Sequence, residues 1–97
     1  MSKFSLRRVS DGAGDSGPMS LVFDPNKGIH EKEYAKAPEV GKCVRVGSFY
    51  GRTMSHTDWW QTTAVKEIIS DVYDPQEDVR TIKFSTVNGS EYVWKEF

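Results

Sequence analysis

The sequence predicts a small, mainly β domain: a small barrel or a strongly curved antiparallel sheet, preceded by an extended N-terminal segment or hairpin. Three observations carry this. Apolar residues alternate with polar ones in short runs along most of the chain. Asn88-Gly89 sits between two such runs and is the strongest hairpin signal present. Aromatic residues make up 12% of only 97 residues, enough to build one core around rings.

The elements follow in chain order. Residues 3–9 (KFSLRRV) and 19–23 (MSLVF) alternate as strands, with Phe4 and Leu6 on one face of the first and Met19, Leu21 and Phe23 on one face of the second. Residues 10–18 between them (SDGAGDSGP) are dense in Gly, Asp, Ser and Pro, which predicts a surface loop long enough to permit a hairpin. Residues 24–42 hold Pro25, Gly28, Pro38 and Gly41 and read as a connector with at most a helical turn near 31–37. Residues 1–41 are therefore expected to pack on a β core formed by 42–97, the two making one folding unit.

Within that core, residues 43–49 (CVRVGSF) form a strand with Val44 and Val46 on one face, and 50–58 form a polar loop. Residues 59–69 (WWQTTAVKEII) are ambiguous. Val65, Ile68, Ile69 and Val72 fall at helical spacing, and Asp58 with Gln61 mimics a capping box. Paired Trp, paired Thr and β-branched residues decide for one long strand, about 60–69. Residues 71–78 (DVYDPQED) are an acidic turn. In the final hairpin, 79–86 and 90–97, a three-residue loop with Gly89 left-handed pairs Phe84 with Tyr92, Ile82 with Trp94 and Arg80 with Glu96. That register gathers Ile82, Phe84, Tyr92 and Trp94 on one face, whereas a two-residue loop mixes rings with charges.

Residues 42–50 (KCVRVGSFY), 59–68 (WWQTTAVKEI) and 82–94 (IKFSTVNGSEYVW) resemble the small SH3-like barrel proteins of tailed bacteriophages. In those, a Thr/Ser-rich strand ending in V-x-x-I leads through a turn to T-x-N-S-x-Y. The matching residues are Thr62, Thr63, Val65 and Ile68, then Thr86, Asn88, Ser90 and Tyr92. Gly89, between Asn88 and Ser90, departs from the pattern. The resemblance implies an SH3-like barrel without catalytic residues, in a phage-type binding protein of unspecified target that engages a host or phage protein; the small size and lack of chemistry would fit an inhibitor of a host enzyme or defence complex.

Composition narrows the function. A domain of this length has one small core and little room for an enclosed site. With 13 Lys plus Arg against 14 Asp plus Glu, the net charge of −1 argues against a histone-like basic binder and a strongly acidic mimic of nucleic acid. The single cysteine, Cys43, allows no disulfide within the chain, and the absence of an apolar run predicts a cytoplasmic protein, in the host cell if phage-encoded, with no membrane association.

Individual motifs read mostly as structure. Gly12 to Gly17 satisfies G-x-G-x-x-G, but Pro18 and a strand follow where a phosphate-binding helix would have to begin. His30, Cys43 and His56, even with Asp58, lack the close-spaced pairs of a zinc site. Asp71, Asp74, Glu77 and Asp78 do not have EF-hand spacing and fit a solvated turn. Ser48, Ser55, His56, Asp58 and Cys43 are near in sequence without forming a triad. The expectation is a non-enzymatic chain with no metal and no cofactor.

More informative is the crowding of aromatic and basic residues between 50 and 60. Tyr50, Arg52, Met54, His56 and Trp59 are the expected contacts to a protein partner, a composition typical of interface hot spots. Trp59 and Trp60, adjacent on a strand, must face opposite ways, so one of them stays near the surface. The alternative is a single-stranded nucleic-acid binder using Arg45, Phe49, Arg52, Arg7 and Arg8, with bases stacked on the exposed rings and Lys3 and Arg80 extending a basic stripe.

Overall fold

The computed structural model describes residues 3–27, 34–48 and 59–97. Among them there is no helix, and eight strands form two antiparallel sheets. The strands are β1 (Phe4–Arg8), β2 (Gly14–Gly17), β3 (Met19–Phe23), β4 (Cys43–Gly47), β5 (Trp59–Gln61), β6 (Val65–Asp74), β7 (Val79–Thr86) and β8 (Glu91–Glu96). One sheet runs β2-β1-β8-β7-β6 and the other β3-β4-β5. The β character is as expected. Closure is not: the sheets do not join into a barrel.

The core lies between the inner faces of the sheets. Leu6, Ile82, Phe84, Tyr92 and Trp94 project from the larger sheet onto Val22, Val44 and Val46 of the smaller one. The indole of Trp94 donates from Nε1 to Ser20 Oγ at 3.0 Å, so the largest buried ring carries its polar atom into a bond across the two sheets.

The β7–β8 hairpin takes the bulged register, with Arg80 opposite Glu96, Ile82 opposite Trp94 and Phe84 opposite Tyr92. Gly89 has φ 90°, and its N–H bonds Thr86 O at 2.9 Å. Buried Thr86 fixes the turn by hydrogen-bonding Asn88 Oδ1 through its hydroxyl and Ser90 O through its N–H.

Three expectations are corrected. First, half of the Gly-rich loop 10–18 is strand β2, paired residue for residue with β1. Its glycines are there for proximity, since a Cβ on Gly17 would lie 2.3 Å from Gly47 O where β2 crosses the smaller sheet. Pro18, with no N–H to continue a ladder, follows at the corner where the chain leaves one sheet for the other.

Second, residues 60–69 are not one strand. Thr62 N–H and Oγ1 bond Val44 O and N–H at 2.8 and 3.2 Å, ending the pairing of β5 with β4. Val65 N–H then bonds Lys42 O at 2.9 Å while Val87 N–H bonds Ala64 O at 2.9 Å, and the chain passes to the larger sheet. Third, the acidic turn is shorter than 71–78. Strand β6 runs on to Asp74, and the turn is 75–78 with Asp78 at φ 54°. Its carboxylates have local partners: Asp74 Oδ1 accepts from the N–H of Gln76 and Glu77, and Asp78 Oδ1 accepts from Tyr73 Oη at 2.6 Å.

Candidate functional site

Strand alternation sorts the smaller sheet into two faces. Val22, Val44, Val46 and Trp60 turn inward, so Phe23, Arg45, Trp59 and Gln61 turn outward. Trp60 is half-buried against the core and its Nε1 donates to Tyr92 Oη at 3.4 Å. Trp59, on the other face, is 38% exposed. The two adjacent indoles thus divide as expected between core and surface.

On the outer face, ladder pairing places Arg45 opposite Gln61 and one diagonal step from both Trp59 and Phe23. The guanidinium carbon of Arg45 sits 4.0 Å from the Trp59 ring centroid and 5.5 Å from that of Phe23. Gln61 Oε1 accepts from Arg45 Nε at 3.0 Å and from Nη2 at 2.6 Å. Each such cation–ring contact contributes about 0.5–1 kcal/mol where exposed. Tyr34, 55% exposed, meets Phe23 edge-on at 6.4 Å. It is brought there by the bridge in which Ala35 N–H bonds Val22 O at 2.9 Å.

Tyr50, Arg52, Met54, His56 and Phe49 lie outside the described residues. Of the remaining expected contacts, Trp59 and Arg45 come together. Arg7 and Arg8 do not join them. Arg7 points from β1 away from buried Leu6, onto the outer face of the larger sheet and hence the opposite side of the molecule. Arg8 lies 5.4 Å from the Trp60 ring centroid and makes a two-pronged bond to Asp11, from Nε to Oδ1 at 2.9 Å and from Nη2 to Oδ2 at 2.6 Å. That bond, helped by Ala13 N–H, pulls the Asp11 carboxyl down to about 2 and pushes the Arg8 guanidinium up.

No family model matches the chain, and searches of curated proteins and of solved structures returned no match either. The site therefore rests on its own geometry. Phe23, Tyr34 and Gln61 were not among the expected contacts. Gln61 shares the parity of Trp59 two residues earlier, and Phe23 shares a face with Leu21, so alternation signals both once the β3–β4–β5 order is known. Nothing local signals Tyr34.

Among the described residues no group of three or more His, Cys, Asp or Glu is arranged to hold a metal ion. His30, His56, Ser55 and Asp58 lie outside the described residues, and Cys43 is buried beside Phe23 in the ladder. A concavity of about 360 Å³ at the end of the β6–β7 hairpin is lined by Tyr73, Asp78, Arg80, Glu96 and Phe97. Its Arg80 is held by Asp71 through bonds of 3.0 and 2.7 Å, which lowers the Asp71 carboxyl and raises the guanidinium. No helix of the described residues is long and apolar enough to cross a membrane.

Proposed function

We propose that the chain is a non-catalytic protein-binding module whose contact face is the outer surface of β3, β4 and β5. One observation carries this reading: the exposed indole of Trp59 is held by a stacked arginine that is itself clamped by Gln61. Exposed rings ordered before binding lose little side-chain freedom on contact, and Trp, Tyr and Arg are the residues that most often dominate interface energies. Tyr34 extends the face beyond Phe23. The resemblance of residues 42–97 to phage barrel proteins is the ground for a host or phage protein as the partner, and the small size would fit an inhibitor of it in the host cytoplasm.

A stacked Trp–Arg pair also suits a base of single-stranded nucleic acid. Against that second reading, Arg7 and Arg8 lie on other surfaces, and Arg8 is paired to Asp11. Affinity capture from nuclease-treated lysate tests the two. A partner retained by wild type and lost on Trp59→Ala with Arg45→Ala supports the first; a partner removed by nuclease overturns it.

A further inference from the structure

Arg45 is the only charged residue in the three strands of this face. Among the described residues the ion pairs are Arg8–Asp11, Lys42–Glu39, Arg80–Asp71 and Lys83–Glu91, and none of the described carboxylates pairs with Arg45. A guanidinium carries five N–H donors in one plane. In Arg45 the Nε side of that plane is turned to Gln61, and rings flank the group at 4.0 and 5.5 Å. The bonds to Gln61 leave the end of the fork, where Nη1 and Nη2 each carry an N–H in parallel, without a hydrogen-bond partner among the described residues. That edge matches the two oxygens of a carboxylate.

We infer that the face takes an acidic segment of a partner protein, with one Asp or Glu end-on to Arg45 and an adjacent apolar side chain against Trp59. This rests on the protein-binding reading above and names its chemistry. A polyphosphate chain fits less well, because it needs several cations along one groove. These three strands supply one, and Arg7 faces the other way.

The test is selection of random dodecapeptides displayed on phage against the whole folded chain, followed by titration of synthetic copies of the enriched peptides. Thermal melts of each variant confirm that it folds. Enriched peptides should place Asp or Glu beside an apolar residue. Arg45→Gln in the protein and replacement of the acid by its amide in the peptide should each weaken binding roughly tenfold or more, and the two together little more than either alone. Arg45→Lys should recover only part of the loss, since a lysine lacks the fork. Enriched peptides that bind independently of Arg45 but are lost on Trp59→Ala would overturn the carboxylate inference and leave the binding face standing. A selection in which no peptide distinguishes wild type from Trp59→Ala overturns both. Steeply salt-dependent, Arg45-dependent binding of oligothymidine would overturn the inference in favour of a nucleic acid.

Discussion

A Cβ built on Gly89 meets no heavy atom within 4 Å, while the residue holds φ 90°. Substitution there changes backbone preference and little else. Gly89→Ala should cost about 1 kcal/mol in a denaturant melt, and an unchanged midpoint would remove the left-handed requirement. Thr62 offers a contrasting case. It is 2% exposed, and its hydroxyl oxygen is the acceptor for Val44 N–H. Thr62→Val keeps the shape but strands that amide, at an expected cost of about 1–3 kcal/mol. Asp11 sets an acid limb. Its carboxyl lies below its unfolded value of 3.8, at about 2, so its contribution is complete above about pH 4 and is lost as pH falls toward 2. Asp71 is displaced in the same direction. Urea melts between pH 2 and pH 6 should show stability rising with pH, and Asp11→Asn should flatten the rise. At this scale parity was legible: Trp59 out and Trp60 in follow from two indoles on one strand. The clamp on Arg45 was not, because it depends on which strands are neighbours.

The β6–β7 hairpin outreaches the sheet that covers it. Val65 is buried and Ile68 half-buried, but Ile69, Val72 and Tyr73 are exposed, and β6 is a sheet edge. Irregularities between Val65 and Glu67 and between Ile68 and Ser70 interrupt its pairing, a common way to blunt an edge. Amide exchange should therefore be fast toward residues 72–80 and slow at Ile82 and Phe84, with uniform protection along the hairpin as the contrary result. The register of β7 with β8 could be derived because burial and turn chemistry agree. The division of 59–69 into two strands could not, since Trp, Thr and Val favour extended backbone on either side of the break. Strand β2 was hidden for the opposite reason: Gly, Asp and Ser give no strand signal, and proximity to β1 and Gly47 supplies what propensity lacks.

For the molecule as a whole, two sheets enclosing one core predict a far-UV circular dichroism spectrum dominated by β structure; a strong helical signature would contradict the fold. The two outer faces also differ in kind. The smaller sheet presents Trp59 stacked on one cation, with the Phe23 ring beside that cation buried, while the larger presents Arg7, Lys83, Lys95 and Glu91 interspersed. Binding at the first face should respond mildly to salt, far from the roughly thousandfold or greater fall expected of a site neutralising many phosphates. β class and much of the core were accessible from alternation, since Leu6, Val44, Val46, Ile82, Phe84, Tyr92 and Trp94 lie on the apolar parities, but in β3 it is Val22, on the parity opposite to Met19, Leu21 and Phe23, that enters the core between the sheets. Whether the strands close on themselves was not, because closure depends on pairings between distant segments. The most distant joins β1 to β8, with Phe4 opposite Glu96 and Phe97 N–H bonded to Lys3 O at 2.8 Å. On the ribosome β1 is made well before its neighbour β8. Until residues 92–96 emerge, Phe4 and Leu6 have no Trp94 to pack against, and the nascent chain holds these apolar side chains open to chaperones for the whole span between the two strands.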